Sequence, residues 1–280
     1  VLTSLYRSSD DPFALTPEYR ACFKHRSFVA AKRRLVESLQ ATGGITTITG
    51  APGTGKTTLI NDVVSRLSPT QVTLGRVVTT QLRAPDLLRA VAFSFGLDGK
   101  RPQSAVLLKS LQHYWAKQLR MRRRIILVVD EAQALQACAG RLLGRLASYS
   151  GAEPRWLHLI LAGDATADAT TRPSPFERLA ALATVRCHLQ PLSVGEIEGY
   201  VRHRLDNRGW CEEPYITQQA LKLVYHQTGG VPAGINLLCR RLLLCGSVER
   251  KRRLHTDEVH RVLGELEAES LLPTPAGARP

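Results

Sequence analysis

Gly50-Ala51-Pro52-Gly53-Thr54-Gly55-Lys56-Thr57-Thr58 is the stretch on which the fold turns, because it satisfies the phosphate-loop pattern G-x-x-x-x-G-K-[ST]. It follows Ile45-Thr-Thr-Ile-Thr49, an apolar and β-branched run that reads as a strand. It precedes Leu59–Leu67, whose apolar spacing suits a helix. Strand, glycine loop and helix in that order are the context the motif needs. Gly50, Gly53 and Gly55 let backbone N–H groups come close to phosphate oxygens, with Pro52 and Thr54 spacing them, and the helix N-terminus adds partial positive charge. Lys56 is placed to reach the β- and γ-phosphates and the Thr57 hydroxyl to ligate Mg²⁺, and Pro52, Thr54 and Thr58 are read with them as nucleotide-binding. The stretch implies binding of ATP with Mg²⁺.

A second motif implies hydrolysis. Ile125-Ile-Leu-Val-Val-Asp130-Glu131-Ala-Gln133 is a continuous apolar run that ends in two carboxylates. Such a run suits a strand buried on both faces of a parallel sheet. At its C-terminal end, where open α/β sheets carry their sites, Asp130 can orient the Mg²⁺ water shell. Glu131 is placed to polarise the attacking water.

Composition narrows the setting. A chain of 280 residues can hold one large α/β domain and a smaller helical one. No apolar stretch approaches the roughly 18–20 residues needed to span a bilayer and no signal-peptide pattern is read, so a cytoplasmic location is expected. The six cysteines are scattered without C-x-x-C spacing and read as reduced thiols. A formal charge of +14 points to polyanions. Lys117, Arg120, Arg122, Arg123 and Arg124 cluster before the acidic strand, and Arg250-Lys-Arg-Arg253, Lys32-Arg-Arg34 and Arg240-Arg241 add further groups. Aromatic residues are not interleaved with these runs, so contacts to duplex phosphates fit better than stacking on single strands.

Along the chain, residues 1–26 read as an irregular N-terminal segment. Residues 27–190 alternate strands and helices, which implies an α/β core: a parallel five-stranded sheet with helices on both faces. The strands are expected at Ile45–Thr49, Val72–Thr80, the run ending at Asp130, Trp156–Ala162 and Val185–Leu189. After Pro191 the pattern is helical only. Ser193-x-x-Glu196 reads as a capping box opening a helix to about Asn207, and helices near Thr217–Thr228, Ala233–Cys245 and Thr256–Glu269 complete a small all-α lid over 191–269. Residues 270–280 read as a disordered tail. A P-loop NTPase core followed by such a lid describes the AAA+ architecture.

At this point the chain resembles the ExeA-like (GspA, general secretion pathway A type) AAA+ ATPases from Pro12 to about Glu267. The residues that carry the resemblance are Pro12-Phe-Ala-Leu-Thr-Pro17, the phosphate loop and Val129-Asp-Glu-Ala-Gln133. It continues through Leu159-Ile-Leu-Ala-Gly163, Arg186-Cys-His-Leu-Gln-Pro-Leu192 and Gly229-Gly-Val-Pro-Ala-Gly-Ile-Asn-Leu-Leu-Cys239. Similar modules occur in secretion ATPases and in the TnsC-like regulators of transposition, which assemble on duplex DNA. The resemblance implies an ATP-hydrolysing switch that forms a ring or filament. Its partner would be duplex DNA with a transposase or target-selector protein, the leading expectation, or alternatively a secretion-system protein.

Three departures from the family pattern bear on turnover. Ala233 stands where the family usually has Arg after the Pro of its Gly-Gly-x-Pro motif, the place where the lid contacts the γ-phosphate. Asp164 stands where a Gln commonly follows the fourth strand, and a carboxylate facing phosphate is repelled unless protonated or turned away. Ala181-Leu182 replaces the usual Gln-Arg, leaving Arg172, Arg178 or Arg186 to reach a neighbouring subunit's nucleotide. A trans-acting arginine can be worth roughly 10³–10⁵ in rate, so the expectation is slow or partner-stimulated hydrolysis.

Overall fold

The computed structural model describes residues 11–14, 22–41, 43–78, 81–98, 103–148, 157–164, 173–207 and 213–269. They fall into two compact units, one formed by Phe28–Gly50 and Leu59–Leu189, the other by Val1–Ser27, Ala51–Thr58 and Gln190–Pro280.

The first unit is a five-stranded parallel sheet made of β1 (Gly44–Gly50), β2 (Val72–Val78), β3 (Arg124–Asp130), β4 (Leu157–Gly163) and β5 (Val185–Leu189), in the order β2-β3-β4-β1-β5. Position in that order explains composition. The inner strands β3 and β4 read Ile125-Ile-Leu-Val-Val-Asp130 and Leu157-His-Leu-Ile-Leu-Ala-Gly163 and are buried on both faces, so they show no polar alternation. Edge strand β2 alternates: Thr73, Gly75 and Val77 point inward while Leu74, Arg76 and Val78 face out. Gly75 is required by close approach, since a Cβ there would lie 2.6 Å from the Phe95 ring.

The helices of this unit are α1 (Arg26–Gln40), α2 (Lys56–Val64), α3 (Ala84–Ser94), α4 (Ser104–Arg120), α5 (Ala137–Ser148) and α6 (Pro175–Ala181), the first two reaching into the other unit at one end. Helix α1 buries Phe28, Ala31, Leu35 and Leu39, the one-sided stripe that a 3.6-residue period produces. Leu107, Leu111 and Trp115 of α4 and Leu143 of α5 close the core together with Leu127, Val129, Leu159 and Leu161. Full burial of each such side chain is worth about 1.5–3 kcal/mol. His158 carries a polar group onto the other face of β4, since it alternates with Leu157 and Leu159. Its Nε2 lies 2.8 Å from the Ala41 carbonyl and 3.1 Å from the Gly43 N–H, so the ring ties β4 to the turn before β1. Burial pushes its pKa below the usual histidine value.

The second unit is built on α7 (Ile197–Asp206), α8 (Gln218–Thr228), α9 (Pro232–Val248) and α10 (Thr256–Ala268). Tyr200, Leu205, Val224, Leu238, Leu242 and Val262 meet in its core. Phe13 is wholly buried in the same cluster, and Arg204 donates to the Ala14 carbonyl at 2.9 Å, so Asp11–Ala14 is pinned to these helices. The helices are joined by a two-residue parallel pair, β6 (Tyr215–Ile216) beside β7 (Arg253–Leu254), which the helical reading of this region did not anticipate.

Other details also differ from expectation. Ser193 and Glu196 do not make a full capping box. Glu196 Oε2 accepts both the Ser193 N–H and its hydroxyl at 2.9 and 2.8 Å, and the helix starts one residue later at Ile197. Glu196 Oε1 instead accepts the Arg26 N–H at 2.9 Å. A full box caps α6, where Glu177 and Ser174 exchange bonds at 2.6 and 3.1 Å. The first residue of the expected fourth strand, Trp156, the end of the second, Thr79–Thr80, and the tail 270–280 lie outside the described residues.

Candidate functional site

The phosphate loop leaves β1 at Gly50 and enters α2 at Lys56. Gly53 has φ +79° and Gly55 φ +98°, backbone that L side chains rarely adopt, which is why glycine stands at both places. Beside Gly55 a Cβ would meet only Thr58, at 4.0 Å, so the space there is open. Lys56 is buried, its Nζ donating to the Ala51 carbonyl at 3.1 Å, and Thr54 Oγ1 donates to the same oxygen at 2.8 Å. Pro52 is exposed, and Thr57 and Thr58 sit half-buried in the first turn of α2. The loop is also held from its far side. The Ala233 N–H donates to the Gly53 carbonyl at 3.2 Å, and a Cβ on Gly53 would come within 2.6 Å of the Ala233 Cβ and 3.2 Å of Val231. Ala233, where an arginine was the family expectation, therefore serves as a small contact that lets the start of α9 press against the loop.

The carboxylates lie at the C-terminal end of β3. Asp130 is buried, and its Oδ2 takes Arg76 of β2 at 3.2 Å. The Arg76 guanidinium also donates to Asn61 of α2 at 2.5 Å. Parallel register sets this up by placing Val78 opposite Asp130, with Arg76 two residues before it on the outward face. Glu131 is exposed and in the left-handed region, φ +54° and ψ +38°. That conformation costs a non-glycine residue roughly 1–2 kcal/mol, and a strained backbone of this kind accompanies functional positions. Its Oε2 accepts Gln133 Nε2 at 2.5 Å, and Asp164, one residue past β4, meets the same amide. Asp130, Glu131 and Asp164 are thus gathered at adjacent strand ends.

Arg178 and Arg186 are drawn elsewhere. Arg178 is exposed and donates to the Pro173 carbonyl at 3.1 Å; Arg186 is exposed and donates to the Ala180 and Ala181 carbonyls at 3.3 and 3.2 Å. Both guanidinium groups bracket α6 rather than the Glu131 cluster. Arg172 lies outside the described residues.

The basic runs prove heterogeneous. Arg123 donates to the carbonyls of Pro69 and Thr70 and to Gln118, and Arg124 to the Leu39 carbonyl, so both are structural. Lys251 lies between Glu249 and Glu258 at 3.1 and 2.6 Å, Arg240 pairs with Asp11, Arg241 with Glu269 and Lys32 with Asp62. Lys117, Arg120 and Arg122 are exposed at the end of α4, just before the start of β3 and so at the opposite end of that strand from Asp130.

The fold and the loop together define a class, a P-loop protein of AAA+ architecture. Within it the chain is similar to the ExeA/GspA-like AAA+ ATPases. Residues 39–170 match the family model of an AAA domain. The chain is 31% identical over 243 residues to general secretion pathway protein A of Aeromonas hydrophila, covering 86% of this chain and 44% of that protein. It therefore spans a little under half the length of that relative. Among solved structures, Cdc6p of Pyrobaculum aerophilum superposes with TM-score 0.70 at 17% identity, covering 95% of this chain and 75% of that one. The Aeropyrum pernix ORC1 protein, solved in complex with DNA, gives TM-score 0.69 at 17% identity over 95% and 73% of the two chains. At such identities the likeness is one of fold. Among the described residues no helix is long and apolar enough to cross a membrane.

Proposed function

We propose that this chain is an ATP-binding and ATP-hydrolysing switch that acts as an oligomer. The observation that carries the reading is the loop from Gly50 to Lys56. Two glycines in left-handed backbone, a buried lysine and the start of a helix make up phosphate-binding chemistry. In this reading Gly50–Thr58 bind the phosphates and Glu131 orients and polarises the attacking water. The donor types fit Mg²⁺, a hard cation that keeps several waters: the Thr57 hydroxyl in the first turn of α2 and the buried Asp130 carboxylate. When bound, the metal would neutralise charge developing on the transferred phosphoryl group. Ala233 offers no cation to the nucleotide, and Arg178 and Arg186 are the candidates to act on a neighbour's, so turnover is slow until a ring, filament or partner forms.

For the setting, we infer that this chain is the ATPase module of a secretion or envelope-assembly system and binds a protein partner, which places the alternative of the sequence reading first. Two observations support that order. The relative at 31% identity is a general secretion pathway protein. Several side chains of the basic runs are also engaged inside the chain, Arg123 and Arg124 with carbonyls and Lys32, Arg240 and Lys251 with carboxylates. The second reading, a TnsC-like regulator on duplex DNA with a transposase or target-selector partner, is favoured by the exposed Lys117, Arg120 and Arg122. The test is duplex-DNA binding by fluorescence anisotropy without nucleotide, with ADP and with a slowly hydrolysed ATP analogue. Binding that requires the analogue and falls log-linearly with salt selects the DNA reading. Weak binding indifferent to nucleotide selects the protein partner. Failure to bind the analogue at all removes the switch itself.

A further inference from the structure

Gln133 stands between two carboxylates that belong to different strands. Its side-chain Nε2 is 2.5 Å from Glu131 Oε2 and 3.5 Å from Asp164 Oδ2, while its Oε1 accepts the Asp164 N–H at 3.2 Å. The backbone donor fixes which end of the amide is oxygen, so the NH₂ end, with two hydrogens, is the one that faces both acids. The strand end is shaped for this. A Cβ on Gly163 would lie 3.0 Å from Gln133 Oε1 and 3.2 Å from its backbone nitrogen, so glycine lets the side chain lie close over β4 without being pushed aside. Glu131 and Gln133 share one short turn, whose 3-10 segment Ala132–Ala134 folds the amide back onto the glutamate.

We propose that Gln133 is a positioning residue for hydrolysis: it turns the Glu131 carboxylate toward the water and keeps the charge of Asp164 from acting on it. The assignment rests on the reading of Glu131 as the water-activating group. A neutral donor between two acids satisfies both without adding charge. Without it the Glu131 carboxylate loses the donor at 2.5 Å that holds its orientation. Asp164, the departure that sits awkwardly with hydrolysis on sequence grounds, becomes part of the device, since its N–H locks the amide that orients Glu131.

The test compares Glu131→Gln, Gln133→Leu, Asp164→Asn and the Gln133→Leu/Asp164→Asn pair in single-turnover ATP hydrolysis, with analogue binding measured in parallel. Expected for Gln133→Leu is a drop in rate of about 10- to 100-fold, the scale of a misplaced catalytic group, with analogue affinity kept. Adding Asp164→Asn should restore part of the rate. A fully active Gln133→Leu beside an inactive Glu131→Gln overturns the assignment alone. Loss of both rate and affinity with no restoration by Asp164→Asn also overturns it, as a folding defect. An unchanged rate in Glu131→Gln overturns the underlying reading and this assignment with it.

Discussion

In the proposed reading, the phosphate loop works through backbone amides aimed by Gly53 and Gly55, whereas the end of β3 works through the side chains of Asp130, Glu131 and Gln133, held by the side chains around them. The difference decides how each region can fail. A backbone-built binding surface is insensitive to most neighbours and is lost only when its own geometry changes. A side-chain cluster keeps its backbone under substitution yet loses its chemistry when one distant partner is replaced.

Graded substitutions separate the two regions. Lys56→Ala removes the one charged side chain in the loop and should lower ATP affinity by about 100-fold or more, as expected for loss of hydrogen bonds to a charged group. Titration with a fluorescent nucleotide checks this, and retained affinity would end the phosphate-loop reading. Glu131→Gln should leave affinity unchanged and cut hydrolysis by about 100-fold or more. It should also hold the ATP-bound oligomer together, which light scattering with ATP would register. Gly53→Ala tests the backbone directly. With φ +79° and the Ala233 Cβ 2.6 Å from the new methyl, it should weaken nucleotide binding and lower stability by about 1–3 kcal/mol. A variant that melts and binds like the parent would show that the loop tolerates side chains.

The smallest effect concerns His158, a side chain that holds backbone at the turn before β1. Its pKa in the fold is lowered by burial from 6.5, so between that value and the folded one the unfolded chain binds the extra proton. Stability therefore falls as pH drops below about 6.5, with a ceiling near 1.4 kcal/mol per pH unit for one such group. His25 and His203 are lowered by burial too and add to the same acid sensitivity. Melting temperature measured from pH 7.5 to 5.5 should decline, and His158→Gln should flatten part of that slope. A parallel slope in the variant would remove His158 from the explanation.

What could be read in the sequence follows the same division. The loop, the strand ending at Asp130 and the strand Val185–Leu189 were legible because each is a local pattern of residue types. Helix α6 was missed since seven residues carry too little periodicity, although Ser174-Pro175-Phe-Glu177 held a cap signal. The Arg76–Asp130 pair and the Gln133 bridge depend on which strands become neighbours, and nothing local in Arg76 or Asp164 states that β2 lies beside β3 or β4 beside β3. The basic runs misled for a related reason. Adjacent arginines such as Arg122 and Arg123 look alike in sequence, yet Arg122 is exposed while Arg123 fastens the turn at Pro69–Thr70.

One backbone bond carries a consequence of its own. With the Gly53 carbonyl tied to the Ala233 N–H, the loop cannot rearrange around a triphosphate without straining or releasing the first turn of α9. Ligand affinity and the placement of that helix then share one free energy, and the linkage runs in both directions. In the proposed switch, a partner that pulls on α9 would change the affinity for nucleotide without touching it, and nucleotide would change the partner's affinity by the same factor.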